Sequence, residues 1–264
     1  MEIFDNHVHV RPEAVDYFLK VFKKAGGTAL NLVNLTEDCL TLPSFERRYE
    51  ETLQVADSLR RGGLEVVVTI GPYPVNYVTL REMEGANEAM NLYRKAVDAA
   101  IRLIEDGRAN AIGEVGRPHF PVAPEIIDET NLIISYIFSA SKDTDIPVIL
   151  HTESLDERGM CSLMDMAKAA GKTSKVVKHF SAPIFSGNCG IVPSVPAGRR
   201  NARSAPWGER NFFLETDFAG DEKNPNFVLP ADSVPKRVSM LLQEGFDPGR
   251  IEDSMSFFRE FYGV

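Results

Sequence analysis

The sequence predicts one α/β domain, residues 1–264, folded as a (β/α)8 barrel (a TIM barrel). Three observations predict it. β-Branched apolar runs alternate with segments of helical spacing from end to end, without repeats, low-complexity tracts or a linker. The 264 residues match the ~250 that such a barrel needs. Finally, side chains able to bind metal fall at the ends of the strand segments, which share one rim in a parallel barrel.

The elements follow in order. The first strand begins at Glu2 or Ile3, leaving no room for a signal peptide ahead of it. With strict alternation, Asp5, His7 and His9 share one face, and Phe4 and Val8 the other. Pro12 opens a helix carrying Val15, Phe18, Leu19 and Phe22, which stops at Gly26-Gly27. Thr28–Leu35 is the second strand. Ser44 caps a helix with Tyr49, Leu53, Ala56 and Leu59 on one stripe. Leu64–Ile70 shows little alternation, as a strand covered on both faces should. One long helix carries Met90, Tyr93, Val97, Ile101 and Ile104, and ends at Gly107. Ala109–Glu114 is the fourth strand, and Pro124 starts the next helix.

Ile146–His151 is the fifth strand, after which Ser154–Glu157 has the spacing of a capping box. Lys175–His179 is the sixth strand, and Cys189–Val195 is a weaker seventh. Pro193, Pro196 and Gly198 leave its following helix short or absent. Asn211–Asp217 is the eighth, followed by helices over Val234–Leu242 and Ser254–Tyr262.

The composition limits the partners. A net charge of −9 argues against general adhesion to nucleic acid or anionic membrane, and no run approaches the ~18 apolar residues of a membrane span. Cys39, Cys161 and Cys189 are odd in number and widely spaced, and read as reduced packing thiols in a cytoplasmic protein.

The chain has five histidines, and four of them end strands: His7 and His9 on the first, His151 on the fifth, His179 on the sixth. Glu114 and Asp217 end the fourth and eighth. Four imidazoles and two carboxylates on one rim make a metal site with room for two divalent ions. Mixed nitrogen and oxygen donors favour zinc, with Mn, Co, Ni and Mg as alternatives. Asp5 and Glu215 are expected one layer deeper, accepting hydrogen bonds from the far nitrogens of ligating histidines. His119 and Arg117 lie in the loop past Glu114. Arg199, Arg200 and Arg203 lie in the loop past the seventh strand. All five are candidate substrate contacts, the arginines as an anion clamp.

Five motifs occur in this order: Asp5-Asn6-His7-Val8-His9, Gly113-Glu114-Val115-Gly116, Val148-Ile149-Leu150-His151, His179-Phe180-Ser181 and Leu214-Glu215-Thr216-Asp217. Together they resemble the TatD-type metal-dependent hydrolases, an amidohydrolase-like family, over nearly the whole chain. The resemblance implies a two-metal phosphodiester hydrolase, often a deoxyribonuclease. It also implies that His7, His9 and Asp217 hold one metal, that His151 and His179 hold the other, and that Glu114 bridges them. Pro118 stands where the usual members carry an acidic residue, and the stretch after His179 also differs. The chain is thus similar to a divergent branch.

On this reading a metal-bound hydroxide attacks phosphorus and Asp217 is the catalytic base. The expected partner is a small phosphorylated substrate or a nucleic-acid end. Two alternatives stay open: hydrolysis of an amide, lactone or carboxylic ester on the same scaffold, and a non-catalytic metal-binding protein. Related barrels acting on amides or lactones often bridge their metals with a modified lysine on strand four. Glu114 at that position favours phosphoesters.

Overall fold

The computed structural model describes residues 1–143 and 145–264. Eight parallel strands form one sheet in sequence order: β1 (Phe4–Val8), β2 (Ala29–Val33), β3 (Glu65–Ile70), β4 (Ala111–Gly116), β5 (Val148–His151), β6 (Val176–Lys178), β7 (Val192–Pro196) and β8 (Phe213–Glu215). The barrel closes where Asp217 N–H donates to His7 O at 2.9 Å and His9 N–H to Phe218 O at 2.7 Å. Among the described residues, helices α1 (Val15–Lys24), α2 (Leu42–Arg61), α3 (Pro74–Glu84), α4 (Ala86–Glu105), α5 (Pro124–Ala140), α6 (Glu157–Ala169), α7 (Arg199–Ser204) and α8 (Ser233–Gln243) lie around the strands, and α9 (Pro248–Tyr262) covers one end. No helix among the described residues is long and apolar enough to cross a membrane.

The predicted barrel is the observed one, with local differences. The long helix predicted before Gly107 is preceded by a second, α3, which buries only Pro74, Asn76, Tyr77 and Leu80 and so lacks a periodic stripe. Gly85, at φ 85°, separates the two. Thr41, rather than Ser44, caps α2: Ser44 N–H donates to Thr41 Oγ1 at 3.3 Å and Thr41 N–H to Ser44 Oγ at 3.0 Å. At α6 the cap is Asp156, which accepts from Gly159 N–H at 2.9 Å, and not Ser154.

Apolar side chains pack in two layers. Phe18, Leu30, Leu32, Val68, Ile112 and Leu150 belong to the layer between strands and helices. Inside the barrel, Phe4, Ala29, Val67, Ala111, Ile149, Val177 and Phe213 pack with Phe258, Phe261 and Tyr262 of α9. The last helix therefore plugs the end of the barrel where the strands begin, with Phe4 stacked on Phe258 at 4.2 Å. Arg259 ties it there, its Nε donating to Glu2 Oε2 at 2.9 Å and its Nη1 to Glu65 Oε1 at 2.8 Å.

The cysteines correct the sequence reading. Cys161 of α6 and Cys189 form a disulfide, their Cα atoms 5.0 Å apart, and only buried Cys39 is free. The connection from β6 to β7 contains no helix and folds back over α6, bringing together two residues 28 positions apart. Cysteine spacing therefore no longer supports a reducing compartment.

Candidate metal centre

Two bulged strands aim the ligands. Phe4 is aligned with Ala29 and Asp5 with Leu30, but Val8 with Leu32, so three steps along β1 match two along β2. Phe4 and Ala29 belong to the interior cluster, whereas Leu30, Leu32 and Val8 belong to the outer layer. Asp5 thus points outward, and Asn6 and His7 both turn inward. β4 repeats the device: Ile112 is aligned with Val148 and Val115 with Leu150, all four in the outer layer. Gly113 and Glu114 therefore share the inner side. The two glycines of Gly-Glu-Val-Gly are required by crowding. A Cβ on Gly113 would lie 2.7 Å from Ile149 Cβ, and one on Gly116 only 2.1 Å from the His151 carbonyl oxygen.

Glu114 occupies the middle of the site and is buried. Its Oε1 faces His9 Nε2 at 3.8 Å and His7 Nε2 at 4.0 Å. Its Oε2 faces His151 Nδ1 at 2.6 Å and His179 Nε2 at 3.4 Å. One carboxylate oxygen thus serves each pair of imidazoles. Burial works against the Glu114 charge, but His151 and His179 outweigh it and hold the carboxyl well below its usual range. Asp217 Oδ1 approaches His9 Nε2 at 3.3 Å and His7 Nε2 at 3.9 Å. All six residues read as ligands meet on this rim. They form the candidate metal-binding clusters His7–His9–Glu114 and Glu114–His151–His179, with Asp217 beside the first.

The far nitrogens orient the rings. His9 Nδ1 donates to Val33 O at 3.0 Å, leaving Nε2 free to face the carboxylates. His179 Nδ1 lies 3.1 Å from Glu215 Oε1 and leaves Nε2 toward Glu114. Glu215 also accepts from Phe180 N–H at 2.6 Å and from the Ser194 hydroxyl. Below it, Asn6 Nδ2 donates to Ser194 Oγ at 2.9 Å, and Tyr262 Oη donates to Asn6 Oδ1 at 2.8 Å. A chain of hydrogen bonds therefore runs from α9 to Glu215, whose Oε1 faces His179 Nδ1. Asp5 has a different place from the one expected. It accepts from Thr216 N–H at 3.0 Å and Thr216 Oγ1–H at 2.8 Å, and touches no histidine ring, because the β1 bulge turns it outward.

Fit to metal can be judged from His7. Both of its ring nitrogens are fully buried without a hydrogen-bond partner, and its ring stacks on His179 at 3.8 Å. Burial, and then His179, push its pKa well below the usual histidine value, so the imidazole is neutral. A buried, neutral, unpartnered imidazole beside two carboxylates is what a divalent ion requires, and the donor set fits such ions.

The remaining predicted contacts lie in different surroundings. His119 reaches the site, its Nδ1 2.9 Å from His151 Nε2. Arg117 is held by Glu153 at 2.9 Å and Asn131 at 3.2 Å. Arg199 and Arg200 begin α7, and Arg203 pairs with Glu244 past the end of α8. None of these arginines lines the cavity of about 110 Å³ above the ligands. Its walls include Asn34, Thr36 and Tyr73, which the sequence reading missed although they directly follow the ends of β2 and β3.

The sequence profile described as TatD related DNase matches residues 4–253. The chain is 28% identical to the uncharacterised protein MJ1127 of Methanocaldococcus jannaschii over 257 residues, 93% of this chain and 89% of that protein. Among solved structures, it resembles YJJV, a TatD homolog from Escherichia coli K12, at 14% identity and TM-score 0.57, over 99% of this chain and 98% of that one. It also resembles the phosphotriesterase homology protein of Escherichia coli, solved with phosphate in its active site, at 14% identity and TM-score 0.55, over 95% and 94%. At such identities these two likenesses bear on the fold alone.

Proposed function

This chain belongs to the TatD-related DNase family, and from that premise we propose that it is a metal-dependent hydrolase that cleaves phosphoester bonds with two divalent ions. The observation that carries the proposal is the division of Glu114, one oxygen toward His7 and His9 and the other toward His151 and His179. His7, His9 and Asp217 would hold one ion and His151 and His179 the other, with Glu114 shared. When bound, such a pair supplies a water of lowered pKa and polarises the phosphoryl oxygen.

The protein groups do the rest. Asp217 is the proton acceptor for the attacking water. It is partly exposed while the other ligand carboxylate, Glu114, is buried, so water and substrate reach it. His119, exposed and in contact with His151, is the substrate contact and donates to the leaving oxygen. The arginines are not assigned to the site, since none lines its cavity. Cleavage of a neutral ester or lactone is the second reading, favoured by a cavity without Lys or Arg among the described residues.

Elemental analysis of the purified protein tests the first claim, with two ions per chain expected. A chromogenic phosphodiester should be hydrolysed, and exhaustive chelation should abolish turnover. His151→Ala should lose one ion and most of the activity. Activity that survives chelation, or a His151→Ala protein keeping both ions and full turnover, would overturn the assignment.

A further inference from the structure

The rim around the metal ligands is apolar where a nuclease would need positive charge. Leu35, Tyr73, Ala219, Phe227 and Val228 supply cavity wall, and the polar wall residues outside the ligand set, Asn34, Thr36 and Glu37, carry no positive charge. Phe227 is 58% exposed and Val228 43%, large apolar side chains left facing solvent at the mouth of a polar site. Two more belong to neighbouring loops. Phe180 follows β6, is 47% exposed, and meets the His179 ring edge-on at 5.8 Å. Phe120 follows β4 and meets His119 edge-on at 5.2 Å. The loops after β4 and β6 thus carry one exposed aromatic side chain each, outside the cavity wall.

Scattered exposed hydrophobes need no explanation, but Phe227 and Val228 stand together on the wall of one cavity, which marks a binding surface. Aromatic walls favour a flat apolar partner, held by stacking and by removal of area from water. Charge points the same way. With Arg117 and Arg203 engaged by Glu153 and Glu244, a polyanionic chain would meet no guanidinium among the described residues lining the cavity, on a protein of net charge −9. A single phosphoryl or acyl group needs only the ions themselves.

Resting on the reading above, we propose that the site takes a small ester with one reacting phosphoryl or acyl group and an aryl substituent. The aryl group would sit on Phe227 and Val228. The ester oxygen then lies over the ligands, and the flat substituent fills the volume that a nucleic-acid backbone would not.

The test compares two ligands of like charge, phenylphosphonate and methylphosphonate, by calorimetry on the full chain reconstituted with the metal most abundant in the purified protein. Phenylphosphonate is expected to bind about tenfold tighter or more, since burying a ring against apolar walls is worth at least ~1.4 kcal/mol. Phe227→Ala should remove most of that ratio, and Phe227→Leu should keep part of it. Both substitutions are at an exposed position and leave the core untouched. Equal affinities, or a preference unchanged by Phe227→Ala, would overturn the aryl seat while leaving metal-dependent hydrolysis intact. A preference for the phenyl compound in a protein that hydrolyses no ester would uphold the seat and sink the hydrolase reading instead. Tighter binding of a short oligonucleotide end than of phenylphosphonate would also overturn it.

Discussion

Glu215 shows how one buried residue sets the behaviour of a ligand it does not replace. Its two oxygens receive Phe180 N–H and the Ser194 hydroxyl, and Oε1 holds His179 Nδ1 at 3.1 Å. Glu215→Gln removes the charge that fixes that ring. Metal affinity at the pair with His151 is expected to fall about 10–100-fold, read by competition with a chromogenic chelator, while the pair with His7 and His9 changes little. An unchanged affinity at both sites would exclude this orienting role. Lys172 gives a second residue-scale expectation, remote from the ligands. It is buried, its Nζ donating to Ile146 O at 2.7 Å and Ser141 O at 3.1 Å, and burial pushes its pKa down to about 8. The unfolded chain, with a lysine pKa near ~10.4, binds more protons than the folded one between these values. Stability contributed by Lys172 therefore rises with pH from about 8 to about 10.4 and is lost as pH falls through 8. Lys172→Met should remove that rise, seen as a flatter profile of unfolding midpoint against pH than the parent shows. That His7, His9, Glu114, His151, His179 and Asp217 meet on one rim was legible because each ends a strand segment. Asp5 was not legible as an outward residue. Alternation assumes an unbroken register, and the bulge that reverses it leaves no mark in the sequence except the function it serves.

At the scale of elements, the exception is the crossover from β6 to β7, which has no helix where a (β/α)8 unit would have one. The sequence placed the irregularity one connection later, after β7, where Pro193, Pro196 and Gly198 break any long helix and α7 is six residues. It did not show what holds the segment down. Cys161 and Cys189 look unrelated at 28 residues apart, and only the fold brings their Cα atoms to 5.0 Å. The bond fastens the helix-free crossover to α6, so it replaces packing that a helix would have provided. Closing a loop of this length restricts the unfolded chain by about 2–4 kcal/mol. Cys161→Ser should therefore lower the unfolding free energy from denaturant titration by about 2–4 kcal/mol with little change in metal content, since neither cysteine belongs to the candidate ligand clusters. Alkylation of the native protein should label no cysteine until a reductant is added, and then Cys161 and Cys189 ahead of buried Cys39. Labelling of all three without reductant would refute the crosslink. α3 was missed for a related reason: its contact with the barrel is a few residues wide, too narrow to write a helical period into the sequence.

The whole molecule ties stability to metal through its interior. Below the ligands lies a polar layer of Asn6, Asn31, Thr69, Ser194 and Glu215, joined by Asn31 Nδ2 donating to Asn6 O at 3.0 Å and Thr69 Oγ1 to Asn31 Oδ1 at 2.7 Å. Beneath that, α9 fills the barrel with Phe258, Phe261 and Tyr262. The candidate metal rim, the polar layer and the apolar plug therefore share one column. His7 opposes folding without an ion, because it buries two unpartnered nitrogens. An ion bound only by the folded chain reverses that, adding about 2.7 kcal/mol when its free concentration is a hundred times its dissociation constant. For a chain of this size each kcal/mol moves the unfolding midpoint by roughly 2–4 °C, so saturating one site should raise it by about 5–10 °C. The rise should come in two parts as metal is titrated. His9→Ala should abolish the part due to the ion shared with His7 and Asp217, and His151→Ala the other, each leaving its counterpart in place. Identical midpoints in chelator and in saturating zinc, manganese or cobalt would mean that these six side chains do not bind an ion in the folded chain, and the functional assignment would fall with them.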